Sequence, residues 1–265
     1  MFLTYFLQEF FLFWSIFCNF ATWKRLIIKI TMREYQRYTK LHVAQSMTGI
    51  WESMTDDQKK YLVDNIVIRE YGKNEAIYRE DEEPHFLLYV LEGKVKVYKT
   101  GLAGKQQIVR MIKPKEMFGY RAAFAGEKYI TGATAFEPTT LCQIPVDVIK
   151  KIIVANSIVG IFFLKRLATM LGGADALTVT LTQKHIRARL AEAIIIIKDK
   201  FGVEDDGKTL SLATSREDIA NISNMTTSNA IRTLSALASE GVISLDGRKI
   251  IIENEAKLQR ISDLG

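Results

Sequence analysis

The clearest hydrophobic pattern in the chain lies between residues 215 and 253, where two helical patterns are followed by two short β-rich segments. The first helix is predicted to begin after Ser215, because Asp218 three residues later completes a Ser-x-x-acid start. The second is predicted to begin after Thr226 and to end at Gly241. Its expected inward-facing positions are Ala230, Ile231, Leu234, Leu237 and Ala238.

Turn residues separate these elements. Asn224 suits the turn between the two helices, because Asn tolerates a positive φ better than most residues. Asp246-Gly247 is a strong hairpin signal between the β-rich segments 242–245 and 249–252. The order predicts a winged helix–turn–helix, whose exposed polar side chains would contact bases and phosphates of double-stranded DNA. The predicted DNA-binding residues are Ser215, Arg216, Thr226, Thr227, Ser228, Asn229, Arg232, Arg248 and Lys249.

A second β-rich region covers residues 67–145, after a short helix predicted within residues 50–66. Turn residues separate its segments, and Gly93 permits a tight turn between two of them. The predicted strands are 67–68, 76–78, 86–91, 94–98, 107–112 and 139–144.

The order of these motifs resembles the Crp-Fnr family of bacterial transcription regulators from about residue 50 to residue 255. Residues 91–98 closely resemble the family's central hairpin, and residues 113–119 resemble the loop before its ligand cassette. The resemblance implies an α+β fold with an N-terminal double-stranded β-helix (jelly roll), a long dimerisation helix and a C-terminal winged helix–turn–helix domain. The predicted divisions are an apolar extension 1–31, a β-roll 32–155, a dimerisation helix 156–185 and a DNA-binding domain 186–265.

The ligand cassette implied by the resemblance departs from the pattern of nucleotide-binding members. Those members have an acid after the first glycine and an Arg near the end of the cassette. Here Tyr120 occupies the acid's position, and the position of the late Arg is taken by Tyr129 or Ile130. Both charges are therefore missing, and cAMP is not expected to bind. Arg121 is either an anion ligand or a surface residue. The predicted effector pocket comprises Phe118, Gly119, Tyr120, Arg121, Tyr129, Ala174 and Asp175.

The effector itself is left open by the sequence, with haem, another small molecule or no effector as the alternatives. For haem, Met111, Met117 and His85 are conceivable axial ligands, and each is also explained as a structural residue. An iron–sulfur cluster would require more cysteines than the two present, and no metal site is predicted.

The long helix predicted from about Ser157 carries an apolar stripe with the 3-4 spacing of a coiled coil. This stripe is the predicted homodimer interface, the alternative being a helix packed on its own β-roll. A second stripe through Ile158, Ile161 and Phe162 is expected to pack on the roll. Gly172-Gly173 would leave room for an effector or add flexibility. The predicted dimer residues are Phe163, Leu167, Met170, Ala174, Leu177 and Leu181.

The segment 2–23 is apolar and long enough for a membrane span, and Gln8 and Glu9 interrupt it. The main interpretation is a reading frame that begins too far upstream, with Met32 as the true initiator. A membrane anchor and a partner-binding helix are the alternatives, and contact with a membrane is not the expected outcome.

Charge adds little to the DNA-binding prediction. The net charge is +6, but from Ile186 onward there are 11 Lys or Arg and 12 Asp or Glu, so the prediction depends on the pattern. Three histidines far apart and no catalytic motif argue against an enzyme. We therefore predict a cytoplasmic, homodimeric, effector-controlled transcription regulator, with RNA polymerase as a partner implied by the resemblance. A membrane-anchored sensor-regulator using residues 2–23 is the alternative.

Overall fold

The computed structural model describes residues 38–264. The apolar segment 2–23 and Met32, with their alternative interpretations, lie outside the described residues. A reciprocal capping box begins the third helix, because Thr55 Oγ1 accepts from the Gln58 N–H and Gln58 Oε1 accepts from the Thr55 N–H. The three leading helices are α1 (Lys40–Ser46), α2 (Thr48–Trp51) and α3 (Asp56–Asn65).

Eight antiparallel strands form a jelly roll of two four-stranded sheets. The strands are β1 (Val67–Tyr71), β2 (Ala76–Tyr78), β3 (Phe86–Glu92), β4 (Val95–Thr100), β5 (Gln106–Ile112), β6 (Met117–Phe118), β7 (Gly132–Ala135) and β8 (Thr139–Pro145). One sheet has the order β1-β8-β3-β6 and the other β2-β7-β4-β5. The sequence pattern missed β6 and β7, which are short and flank helix α4 (Tyr120–Ala125) in the cassette.

Three helices follow the roll: α5 (Val146–Ala155), α6 (Ser157–Gln183) and α7 (Ile186–Phe201). Helix α6 has 27 residues and is continuous through Gly172 and Gly173, both of which are exposed. Within residues 38–264, α6 is the one helix whose length and composition would suit a membrane span. Most of α6 is not covered by the rest of the chain, so much of its apolar surface is exposed.

The C-terminal domain has the predicted winged helix–turn–helix order. Its remaining elements are α8 (Arg216–Ile222), α9 (Thr227–Ser239), β9 (Ile243–Asp246), β10 (Lys249–Ile252) and α10 (Glu255–Asp263). Asn224 adopts a positive φ of 50° in the turn, and Gly241 adopts 66° after α9, as the sequence predicted for both. Helix α10 was not predicted, although Asn254 caps it by accepting the Lys257 N–H at 2.9 Å.

Candidate nucleic-acid interface and effector cleft

The first turn of α9 presents a polar, exposed face. Thr226 caps the helix by accepting the Asn229 N–H at 3.2 Å, and Thr227 and Ser228 are exposed beside it. Arg232 is exposed one turn further on, and its guanidinium donates to Asn229 Oδ1 at 2.6 Å. The structure therefore brings these five predicted DNA-binding residues together on one surface.

One inward-facing position of α9 was predicted wrongly. Ala230, Leu234 and Leu237 are fully buried, but Ile231 is 46% exposed. Consecutive helical residues lie about 100° apart, so Ile231 stands at the edge of the buried face, next to the polar surface.

The other predicted DNA-binding residues lie on α8 and the wing, and each has a structural contact except Arg248. Ser215 Oγ donates to Asp218 Oδ2 at 2.6 Å and accepts the Asp218 N–H, while Arg216 donates to the Gly247 carbonyl at 2.9 Å. Lys249 pairs with Glu204 at 3.0 Å. Arg248 is exposed at the wing tip, and no carboxylate in residues 38–264 lies within ion-pair distance of it.

The winged domain is docked on its own β-roll, a contact for which the sequence carries no signal. Lys96 Nζ lies 2.5 Å from Asp218 Oδ1, and both side chains are 14% exposed. Lys105 donates to Asn224 Oδ1 and Gln107 donates to the Ile222 carbonyl, each at 3.2 Å. Apolar packing is also continuous between the domains, because Ile108, Met111 and Phe136 of the roll belong to the core of the winged domain.

Aromatic side chains fill the interior of the roll. Tyr129, one of the two residues at the late-Arg position, stacks on Tyr78 with 3.8 Å between ring centroids and donates its hydroxyl to the Phe86 carbonyl. Burial raises the pKa of both Tyr78 and Tyr129, so both phenols stay protonated at neutral pH. Arg121 forms an ion pair with Glu127 at 3.1 Å, with its own side chain 34% exposed.

A cleft of about 600 Å³ lies outside the roll, bounded by β5, α6, α7 and the end of α8. Of the predicted effector pocket, only Phe118 and Tyr120 line it. The other five predicted residues lie outside the lining of this cleft. Gly119 is the left-handed cap of α4, Arg121 pairs with Glu127, Tyr129 is inside the roll, and Ala174 and Asp175 are exposed on α6.

The conceivable haem ligands do not share one site. Met111 and Met117 line the cleft, whereas His85 is exposed and is not part of its lining. Within the described part of the chain, no cluster of three or more His, Cys, Asp or Glu side chains is placed to hold a metal ion. Haem binding stays an untested hypothesis.

Part of the predicted dimer stripe on α6 contacts the chain's own domains, as in the alternative interpretation. Phe163 is 2% exposed and packs edge-on against Tyr120 and Phe124 of its own chain. Leu167 and Met170 pack on the same core, and Leu177 and Leu181 line the cleft. Ala174 is exposed in the gap between these two contacts. Phe163 is therefore buried within its own chain, whereas Leu167, Met170, Leu177 and Leu181 are half-buried and Ala174 is exposed, and the homodimer interface predicted on this stripe stays a prediction.

A second stripe on α6 is apolar and uncovered. Its residues from Ile158 to Val179 are spaced by 3, 3, 7 and 8 positions, and Leu164 and Leu171 lie about a third of a turn from Phe163 and Met170 of the first stripe. Phe162, at its border, packs on the core near Gly49, as expected. We call the exposed residues the outer stripe: Ile158 (61% exposed), Ile161 (50%), Leu164 (65%), Leu171 (65%) and Val179 (52%).

Two family models match the chain, a cyclic nucleotide-binding domain over residues 68–156 and a Crp-like helix-turn-helix domain over residues 188–261. The Global nitrogen regulator of Nostoc sp. is 24% identical over 197 residues, which cover 73% of this chain and 88% of that protein. The structure of FixK2 from Bradyrhizobium japonicum is 25% identical and superposes with a TM-score of 0.67, covering 74% of this chain and 96% of that one. TTHB099, a CRP-family transcriptional regulator from Thermus thermophilus, shares the fold with a TM-score of 0.64 and 22% identity over 74% of this chain and 96% of its own.

Proposed function

The chain belongs to the Crp-Fnr family of DNA-binding transcription regulators, which are not enzymes, and from that membership we propose that it acts as a homodimer on two-fold related DNA half-sites. A small-molecule effector other than a conventionally bound cyclic nucleotide controls it. RNA polymerase is its partner at promoters, and the cytoplasm is its compartment.

The exposed first turn of α9 is the observation that carries this proposal. Thr226, Thr227, Ser228 and Asn229 are short and polar, as required of side chains that approach base edges, and Arg232 can reach a guanine or a phosphate. A recognition helix enters the major groove with its N-terminal residues, so this turn would lie deepest in the groove. Arg248 on the wing would contact flanking phosphate.

Selection from a random DNA library tests the proposal. Two winged domains related by a two-fold axis should enrich a palindromic motif whose half-sites are centred roughly 34 Å apart, or one helical turn. An enriched motif without internal symmetry, or no enrichment at any salt concentration, would contradict it.

The outer stripe of α6 is the dimer interface in this proposal, in place of the stripe predicted from the sequence. Leu164 and Leu171 are both 65% exposed, although fully burying one such side chain is worth about 1.5–3 kcal/mol. A second copy of α6 presents the same exposed apolar residues, so that the same patch meets itself as a two-fold interface requires. Gly172 and Gly173 support close approach of the helices, since nothing lies within 4 Å of a Cβ added at either position.

The filled interior of the roll supports an effector that is not a cyclic nucleotide. Tyr120, at the position of the ribose-binding acid, is 2% exposed and donates its hydroxyl to Met170 Sδ at 3.2 Å. Of the two residues at the late-Arg position, Tyr129 occupies the interior by stacking on Tyr78, and Ile130 is 51% exposed. None of these three side chains offers the charge that a cyclic phosphate or a ribose hydroxyl needs.

A further inference from the structure

Ile231 is an exposed apolar residue on the recognition helix α9. The two leucines of the same helix, Leu234 and Leu237, are fully buried, whereas Ile231 is 46% exposed. It belongs to none of the hydrophobic clusters formed by the described residues, so neither the core of the winged domain nor the roll encloses it. The sequence pattern places Ile231 among the inward-facing positions and not among the DNA-binding residues. Its side chain is nevertheless available to a partner.

The neighbours of Ile231 are the short polar residues that begin α9. Ile231 follows Thr227 by four positions and Ser228 by three, so both lie next to it on the helix surface. A helical side chain leans towards the N-terminus of its helix, and Ile231 therefore leans towards the first turn, the part that enters the major groove. Both neighbours are exposed and shorter than isoleucine. The apolar surface of Ile231 is thus continuous with the turn proposed to contact base edges.

The charged neighbour Arg232 is held away from Ile231. Its guanidinium donates to Asn229 Oδ1 at 2.6 Å. Asn229 and Ile231 are two positions apart in the sequence, which places them about 160° apart around the helix. Arg232 is the one charged residue in the sequence of α9. The exposed surface of the helix therefore has a cationic side at Arg232 and Asn229 and an apolar side at Ile231.

An isoleucine matches only one of the groups that base pairs present in the major groove. Those groups are hydrogen-bond donors and acceptors together with one apolar group, the 5-methyl of thymine. Isoleucine can neither donate nor accept, so a polar group pressed against it would lose its water without gaining a partner. A thymine methyl in the same place buries apolar surface on both molecules. The side chain therefore favours thymine over cytosine, whose C5 carries only hydrogen.

We propose that Ile231 is a specificity-determining residue that contacts the 5-methyl group of one thymine in each DNA half-site. The inference rests on the proposed function, because α9 must enter the major groove by its first turns. It does not depend on whether Arg232 contacts a guanine or a phosphate, since the two side chains lie on different sides of the exposed surface. The preferred half-site therefore contains a thymine at a position fixed relative to α9.

Replacing thymine by deoxyuridine, which lacks only the 5-methyl group and forms the same base pair, tests the contact. The full-length chain is titrated with the selected duplex and with a series in which each thymine is replaced in turn, symmetrically in both half-sites. One replacement should weaken binding by the parent chain about three- to tenfold for each half-site, as expected for one or two buried methyl groups. At that position Ile231→Ser should bind the thymine and deoxyuridine duplexes equally. Ile231→Gln, with a better helix former, provides the same test if Ile231→Ser does not fold.

Two further variants are controls. Ile231→Val keeps an apolar side chain and should retain most of the preference for the methyl group. Ile186→Ser removes an isoleucine of similar exposure, 43%, at the start of α7, and should leave the preference unchanged. Because thymine and deoxyuridine duplexes are compared within each variant, any effect of the missing methyl on DNA shape is the same for all variants and cancels between them.

Specific binding to a selected palindrome in which no thymine shows a methyl preference would overturn the role of Ile231 and leave the proposed function in place. A preference that survives in full in the folded Ile231→Ser and Ile231→Gln variants would overturn it as well. Loss of that surviving preference in Thr227→Ser would assign the methyl contact to Thr227 instead. A chain that enriches no DNA sequence would defeat the proposed function, and the inference about Ile231 with it.

Discussion

Lys96 of β4 and Asp218 of α8 form an ion pair, 2.5 Å between Nζ and Oδ1, that joins the β-roll to the first helix of the DNA-binding unit. Both side chains are largely shielded from solvent, and Ser215 Oγ donates to the other Asp218 oxygen. Ser215, which caps α8, and Lys96, which docks α8 on the roll, therefore both bind the Asp218 carboxylate. This contact joins the helix that precedes the recognition helix to the roll.

Removing the cation should loosen the docked winged domain. Lys96→Met leaves Asp218 without its counter-charge in a shielded position, which should lower the free energy of unfolding by about 1–3 kcal/mol. Amide exchange within residues 215–222 should accelerate because α8 loses its contact with β4. Lys99→Met is the matched control, since Lys99 lies on the same strand but pairs with Glu80 within the roll. Equal exchange in the two variants would show that the ion pair does not hold the domains together.

A charge in the outer stripe should dissociate the dimer. Leu171→Asp places a carboxylate in the proposed apolar interface of each copy, which should weaken association by at least about tenfold and give monomers by light scattering. Leu177→Asp alters the cleft, about a third of a turn around α6 from Leu171, and should leave the mass unchanged. Val154→Asp, at a position 89% exposed and outside the stripe, is the surface control. Monomers from Leu177→Asp, and not from Leu171→Asp, would restore the interface predicted from the sequence.

Arg232→Ala distinguishes base recognition from phosphate contact. If Arg232 contacts a guanine, affinity should fall by about 1–3 kcal/mol per half-site with relaxed preference at one base pair. If it contacts phosphate, all sequences should weaken about equally and the salt slope should decrease by about one. The family resemblance favours the first outcome. Titrations on selected and scrambled DNA at several salt concentrations provide the measurement, and no change in either quantity would mean that α9 does not dock through its first turns.

Cyclic nucleotides should not bind at concentrations that saturate a cAMP-dependent regulator. The two charges that such a ligand needs are replaced by Tyr120 and by Tyr129 or Ile130, and Tyr129 occupies the interior through its stack on Tyr78. Isothermal titration calorimetry with cAMP and cGMP gives the answer directly. Micromolar affinity for either nucleotide would contradict this account of the cassette.

The Cys142 thiol should be unreactive in the folded protein. Burial raises its pKa from 9.0 to about 12, so the nucleophilic thiolate is scarce at pH 8. The raised value also means that the stability associated with the neutral thiol is present below pH 9 and is lost as the pH rises towards 12. In a Cys18→Ser background, Ellman's reagent should react only after denaturant is added. Rapid labelling without denaturant would show that the core around Cys142 opens readily.

Local signals determined much of the DNA-binding unit in advance. Ser215 and Thr226 each cap the helix that follows, Asn224 takes the positive φ of the turn, and Gly241 ends α9. Each depends on residues within a few positions along the chain, so the sequence alone was sufficient to predict the winged helix–turn–helix. The family resemblance then supplied the β-roll, including strands too short for a pattern to reveal.

The tertiary structure decided which apolar surfaces are buried and which are exposed. Two apolar stripes run along α6, and only the placement of the roll and the winged domain determines that Phe163 of one is 2% exposed while Leu171 of the other is 65% exposed. Tyr78 lies on β2 and Tyr129 in the loop before β7, so their stack exists only once the roll has assembled. Lys96 and Asp218 are 122 positions apart, so their ion pair exists only once the two domains have docked. The periodicity of the sequence predicts that a helix has an apolar face, but which part of the protein packs against that face is decided only when the chain has folded.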